Sequence, residues 1–183
     1  AGTVGWDNPT VVGILDNDSF CVAGAHVGLN FVNAAIASNT RVMKVALGTN
    51  FIILQDLDSI ATSWVVTGGS TVVKTVHGKA RSISGSYDDG VVLKADGNVV
   101  NVIGTMVAGA SSVSMVGVGL YQAVGVTESG IPKAWSSSPY GNGYGQANFP
   151  AVFPTDVVGV GSGYRYNAFL TSTGKVLALG EPK

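Results

Sequence analysis

Residues 161–180 read GSGYRYNAFLTSTGKVLALG. Two alternating apolar runs flank the small polar triplet Ser172-Thr173-Gly174, and the second run ends in glycine, which is the pattern of a β-hairpin. The same pattern stands near the other end of the chain. VGILDNDSFCVAG (12–24) aligns with AFLTSTGKVLALG (168–180) without a gap, so that Ile14 falls on Leu170, Asp18 on Gly174 and Gly24 on Gly180. A register held over that length makes the hairpin one copy of an internal repeat.

Three looser copies lie between: IILQDLDSIATSW (52–64), VVLKADGNVVNVIG (91–104) and VGVTESGIPKAW (124–135). The apolar residues before the turns, Ile14, Leu54, Leu93, Val126 and Leu170, recur at a ragged spacing of about 40 residues. The turn centres are Asp16-Asn17-Asp18, Asp56-Leu57-Asp58, Ala95-Asp96-Gly97, Glu128-Ser129-Gly130 and Ser172-Thr173-Gly174. Glycine, and to a lesser degree Asp and Asn, accept the positive φ that tight turns demand. A further strand ending in glycine precedes the later copies: RVMKVALG (41–48), ARSISG (80–85), VSMVGVG (113–119) and DVVGVG (156–161). At the start of the chain this strand is cut short, as AGTVG. VTGGSTVVKTV (66–76) reads as strand, turn, strand, and only 30–38, which contains FVNAAIAS, has a short helical spacing.

A two-stranded unit cannot bury its faces alone, whereas stacked units can. Units of about 40 residues with three or four strands are the size of propeller blades. The expected fold is therefore all-β: a β-propeller of short repeats with five blades, one domain over 1–183, closed by pairing of the N- and C-terminal strands so that few sheet edges stay open. The competing arrangement is a sandwich or barrel whose hairpins are alike by composition.

DVVGVGSGYRYNAFLTSTGKVLALG resembles the repeat of the regulator of chromosome condensation family, a V-x-V-x-x-G strand, H-x-L-A-L, a D-G turn and V-Y-x-W-G. AWSSSPYGNGYGQANFPAVFPTDVVGVG is similar to that family's connection, W-G-x-N-x-x-G-Q-L-G followed by proline and a valine strand, with Trp135, Asn142, Gly145 and Gln146 matching in type. The resemblance is good over 121–180 and traceable elsewhere. It implies a β-propeller, usually of seven blades with longer repeats; five hairpins here imply a smaller wheel. The family histidine is replaced by Thr10, Asn50, Asp89, Gln122 and Tyr166 in the five copies. The nucleotide-exchange role of the best-known member is not implied, because one fold hosts many functions.

Composition narrows the function. Charged residues are 11% of the chain, about half the usual share, and the net charge is −1. No cluster of Lys or Arg occurs, which argues against nucleic-acid binding. No apolar run reaches the roughly 18 residues of a membrane span, so no membrane insertion is expected. The start, AGTVGWDNP, lacks a signal-peptide pattern and reads as a chain that lost its initiator Met; the location of the protein stays open. The single cysteine, Cys21, allows no internal disulfide and is expected to be a small buried strand residue.

No catalytic, metal or cofactor residues are expected. His26 and His77 have no ligand spacing, Asp16-Asn17-Asp18 and Tyr87-Asp88-Asp89-Gly90 read as turn and loop, and no G-x-S-x-G is present. One constellation stands out. The loops after the unit glycines carry Trp6, Asn50, Tyr87, Asp88, Tyr121, Gln122, Tyr164, Arg165 and Tyr166, and the long connection adds Tyr140, Asn142, Tyr144 and Gln146. In a propeller these loops gather on one face, where rings offer stacking surfaces and amides offer hydrogen bonds. The expected function is that of a non-enzymatic structural or interaction protein, a phage virion component (head decoration or tail-associated) that contacts a protein partner or host surface. The composition, poor in charge and rich in Val, Gly, Ser, Thr and Asn, resembles that of virion proteins, and self-association into a homo-oligomer is compatible with it. The alternative is a glycan-binding lectin or receptor-binding adhesin; an enzyme is disfavoured for want of a convergent catalytic set.

Overall fold

The computed structural model describes residues 2–4, 10–23, 33–35, 41–68, 70–120, 122–136 and 143–181. Apart from a helical turn at 33–35, inside the 30–38 segment, the regular elements among them are β-strands. Each repeat folds as an antiparallel three-stranded meander. The first holds β1 (Gly2–Val4), β2 (Thr10–Ile14) and β3 (Phe20–Ala23). The second holds β4 (Val42–Leu47), β5 (Phe51–Asp56) and β6 (Ile60–Thr67). The third is the latter half of β7 (Thr71–Ser86) with β8 (Asp89–Lys94) and β9 (Val99–Asn101). The fourth is β10 (Val113–Val118), β11 (Gln122–Thr127) and β12 (Pro132–Ser136), and the fifth is β13 (Val157–Ser162), β14 (Tyr166–Thr171) and β15 (Val176–Gly180).

The expected hairpin at 66–76 is present, but its second strand does not stop. β7 runs for 16 residues. Its 71–79 stretch pairs with β6 and its 80–86 stretch pairs with β8, so the second and third meanders share a six-stranded sheet. The joint is Gly78, at φ 79°, where the pairing with Ala61 and Thr62 shifts register. Such a bulge bends a strand without ending it.

The five turns each contain one left-handed residue: Asp18, Ser59, Gly97, Gly130 and Gly174. The second of these corrects the sequence reading. Asp56 holds its turn from the first position, its carboxylate accepting a 2.8 Å bond from the Ile60 N–H, and the positive φ falls on Ser59, beyond Asp58. Gln55 therefore occupies the position of Leu170, and Phe51 that of Tyr166, where the sequence pattern suggests Leu54 and Asn50. A one-residue slip exchanges the two faces of a strand, so the correction decides which side chains meet which neighbour. A Cβ at Gly174 would meet nothing within 4 Å, so a substitution there is costly only through its φ of 81°. Gly174→Val is expected to lower unfolding free energy by about 1–2 kcal/mol or more, with Gly174→Asn close to wild type. Urea denaturation of the pair checks this, and equal stability of both variants would refute the turn geometry.

Meander packs on meander through alternating faces. In β5, Ile52 and Leu54 join Val42, Leu47 and Trp64 in a cluster that Phe20 of the first meander covers. The opposite phase, Phe51 and Ile53, packs with Ile83 and Val92 of the third. Val91 and Leu93 then meet Val116 and Val118 of the fourth, and Val124 and Val126 meet Val157 and Phe169 of the fifth. Hydrogen bonds mark the first three junctions in the same way. The carbonyl of the left-handed residue accepts from the first strand of the following meander: Asp18 from Val42 (2.7 Å), Ser59 from Ala80 (2.8 Å) and Gly97 from Val113 (2.9 Å).

Glycines around the loops between first and second strands have a steric cause. The Phe51 ring sits in a slot where a Cβ on Gly48, Gly85 or Gly90 would come within 2.0, 2.9 and 2.5 Å of it.

Two expectations fail. The chain is not closed by hydrogen bonding between its terminal strands: β1 pairs with β2 and β15 with β14, and neither pairs with the other. The first meander already has its own first strand, so no place is left in it for a C-terminal one. Nor is Cys21 buried. Phe20 turns toward the second meander. Alternation then sends Cys21 to the opposite face, beside Gly13, whose Cβ would lie 3.4 Å from the sulfur. Among the described residues no meander covers that face.

Candidate functional site

The loops that join first to second strands share one edge of the stack, because every meander runs in the same sense. On this edge the fifth meander carries the densest group of exposed polar and aromatic side chains. Arg165, at the tip of the β13–β14 loop, lies between two rings, its guanidinium 4.0 Å from the centroid of Tyr144 and 4.9 Å from that of Tyr164. One end of the guanidinium donates to the Glu181 carboxylate at 2.8 Å. The hydrogen bond to Glu181, and after it one to Tyr164, raise the arginine pKa above its ordinary value. The Nε is enclosed and meets no hydrogen-bond partner among the described residues. Tyr144, Tyr164 and Tyr166 are 38%, 43% and 56% exposed, and the Tyr166 ring lies over Gly163, where a Cβ would come within 2.5 Å.

Tyr144 is carried by the connection 143–156, which is fixed by an apolar and a polar anchor. The apolar one is an edge-to-face trio of Phe149, Phe153 and Phe169, with centroids 5.0–6.0 Å apart. The polar one is centred on Asn167, which is fully buried. Its Nδ2 donates to the Gln146 carbonyl at 2.8 Å, and its Oδ1 accepts from Ser162 Oγ at 2.6 Å and from Gln122 Nε2 at 3.2 Å. Gln146 Oε1 in turn accepts from the Tyr144 N–H at 2.9 Å. Gln122 and Gln146 are thus buried rather than presented to a partner. Gln122 is covered because it opens β11 in the phase that faces the next meander.

Asn50, Tyr87 and Asp88 form a second patch. The Thr49 N–H donates to the Tyr87 carbonyl at 2.6 Å and its hydroxyl to the Asp88 carboxylate, so the loops of the second and third meanders are clasped together. Tyr87 is left-handed, at φ 50°, and half-buried, while Asn50 and Asp88 are exposed. Trp6, Tyr121, Tyr140 and Asn142 lie outside the described residues.

A site that sequence reasoning missed lies on the same edge between the third and fourth meanders. A cavity of about 210 Å³ is lined by Asp89, Asn101, Val91, Val107, Ala123 and Trp135, with Gly90 at its wall. The Trp135 indole lies over Gly125, where a Cβ would come within 3.1 Å of it. Two strands of each meander supply the walls, so no contiguous motif marks the cavity; the Asp88-Asp89 loop and Trp135 were its separate traces in the sequence.

His77 belongs to the core. The Ser63 hydroxyl donates to the Val102 carbonyl at 2.5 Å, so the 2.8 Å contact between Ser63 Oγ and His77 Nε2 is a bond donated by a neutral imidazole. Burial, and then the charge of Lys94, lower the His77 pKa. An imidazole that donates to the serine cannot take its proton, so this pair is not poised as nucleophile and base.

No protein-family model and no curated protein matches the sequence. Solved structures do match in fold. Prp20p of Saccharomyces cerevisiae, the yeast RCC1, superposes with a TM-score of 0.69 at 12% identity over 93% of this chain and 55% of that one. The ectodomain of the receptor kinase CR4 from Physcomitrella patens gives 0.64 at 12% identity, over 97% and 52%. The C-terminal domain of gp131 from bacteriophage phiKZ gives 0.51 at 13% identity, over 75% and 51%. The chain spans about half the length of these structures. At such identities the likeness is one of fold: the chain has a β-propeller-like architecture.

Proposed function

We propose that this chain is a non-enzymatic recognition protein, each meander acting as one blade of a five-bladed array, that contacts a protein partner or host surface as a head-decoration or tail-associated component of a virion. The observation that carries the reading is the Arg165–Tyr144–Tyr164 stack on the loop edge. Arginine and tyrosine are the side chains on which interfaces concentrate their binding energy, and here Tyr144 is carried by a segment with buried anchors, which reduces the freedom lost on binding. The fold supports a protein partner by analogy, since the Prp20p structure is described with its binding to Gsp1p and histones. The virion assignment rests on the low-charge composition.

A photo-crosslinking residue at position 164 tests this in the native source, with one at position 57, on the opposite turn edge, as comparison. Adducts to a defined partner are expected at 164 and not at 57; the reverse would move the contact to the turn edge. Arg165→Ala is expected to weaken that partner tenfold or more, about 1.4 kcal/mol, without lowering thermal stability.

The cavity beside Trp135 favours a second reading, a glycan-binding lectin or adhesin. Its volume is below that of a drug-sized site and suits a single polar ring stacked on the indole. A glycan array that includes bacterial surface polysaccharides separates the readings. A saturable hit lost in Trp135→Phe supports the lectin, and a blank from folded protein removes it.

A further inference from the structure

The repeat provides an internal standard for what fills the space between neighbouring meanders. Phe51, Asp89 and Gln122 open the middle strands of the second, third and fourth meanders, each at the same distance before its left-handed turn residue. Between the second and third meanders this place is filled by the Phe51 ring, packed against Gly90 and Val102. Between the fourth and fifth it is filled by the Gln122 amide, which bonds to Asn167 at 3.2 Å. Between the third and fourth, Asp89 stands where the ring and the amide stand, and Ala123 and Trp135 stand where Gly90 and Val102 do. There the space is open: it is the cavity of about 210 Å³ beside Trp135.

The lining says what chemistry would occupy it. Its far wall is the cross-strand pair Ala123–Trp135, and its near wall is the pair Val91–Asn101 with Val107 beside it. Asp89 is the one ionisable side chain among the described residues that line it. Lys133, on the same face of β12 as Trp135, is not part of the lining; its Nζ donates to the Gly109 carbonyl at 2.8 Å. The Asn101 Oδ1 is engaged, accepting from the Thr105 N–H at 2.9 Å and the Ile103 N–H at 3.2 Å. The acceptor that the side chains turn to a ligand is therefore the Asp89 carboxylate, which keeps lone-pair sites beside any bond it already makes. A primary ammonium brings three N–H donors, more than one carboxylate can take, and a donor left unpaired in an enclosed site is costly. A sugar ring needs partners for several hydroxyls, and the lining offers two polar side chains. A quaternary ammonium has no donor to satisfy. Its methyl groups pack on Val91, Val107 and Ala123, while an indole and a carboxylate attract its charge.

We propose that this cavity binds a quaternary ammonium group, with the Trp135 indole as its cation–π wall and Asp89 as its counter-charge. The assignment stands apart from the Arg165 stack and replaces the sugar as the cavity's ligand. The group has two chemical sources, a free trimethylammonium compound or a trimethylated lysine on a protein, and the same site chemistry serves both.

Tetramethylammonium chloride is the probe, titrated against sodium chloride at equal ionic strength. On wild-type protein, saturation-transfer NMR should show the N-methyl protons in contact with the chain, and tryptophan fluorescence should change to saturation. Asp89→Asn, which keeps the shape of the side chain, and Trp135→Leu should each weaken binding about tenfold or more with an unchanged circular dichroism spectrum. Choline and a neutral peptide with one trimethyllysine then separate the sources: tighter binding of the peptide assigns the group to a protein partner, and tighter binding of choline assigns it to a free compound. Three results overturn the proposal: no saturable binding of tetramethylammonium to the folded wild type, affinity unchanged in both variants, or ammonium chloride binding as tightly, which would mean a general charge effect. The first of these together with a saccharide that binds through Trp135 would give the cavity to the lectin reading.

Discussion

Phe51→Ala is expected to cost about 3–5 kcal/mol. Phe51 is fully buried, and its ring is the one large group that fills the slot left by three glycines at the edge of the second and third meanders. Removing it leaves backbone on several sides, because Gly48, Gly85 and Gly90 have no side chain to move in and Val102, beside Gly90, borders only one part of the slot. Relaxation is therefore limited and most of the cavity term remains. The same geometry gives a cross-check. Gly48→Ala should be strongly destabilising in the wild type, since its Cβ would lie 2.0 Å from the ring, and much less so in Phe51→Ala. Denaturant melts of the two single variants and the double variant close a mutant cycle, and additivity of the two losses would mean that the ring and the glycine do not meet.

Asn167→Ala should come next, and should also disturb the candidate site. The side chain is fully buried and bonds the Gln146 carbonyl, the Ser162 hydroxyl and the Gln122 amide. Its loss leaves the buried Gln122 and Gln146 groups without this partner, at about 1–3 kcal/mol for each one left unpaired. The Gln146 segment then loses a tether, and with it Tyr144, whose N–H bonds to the Gln146 side chain. Lower thermal stability together with a changed near-ultraviolet tyrosine signal is expected. A variant with wild-type melting and an unchanged signal would mean that the amide network does not hold the Arg165 stack in place.

These residues also mark how far the sequence is legible. The fold follows from the repeat because hairpin chemistry is local: Asp18 and Gly174 announce left-handed turns, and the alternation around them needs no tertiary knowledge. The second copy misleads by one position because Asp56-Leu57-Asp58 has turn-forming residues on both sides of the true turn and no glycine to mark it. The fusion of two strands into β7 is hidden because a bulged Gly78 and a turn glycine look alike in sequence. At the site, Tyr144, Tyr164 and Arg165 can be found from residue type alone, and they do come together. Gln122 and Gln146 have the same polar-loop signature, yet Asn167, which itself carries no signal, draws them inward. Cys21 shows the converse: an apolar strand context predicts burial only if something lies on both faces.

The 16-residue β7 has a consequence for how the array comes apart. A stack of separate hairpin units can fray one unit at a time, each opening costing its own contacts and one junction. Here the second and third units are written on a single continuous strand, so neither can release its backbone amides without straining the other. Five similar sequence repeats thus make unequal cooperative blocks, a single one, then a double-length one, then two single ones, and the double-length block rather than the ends of the chain sets the longest-lived protection against solvent.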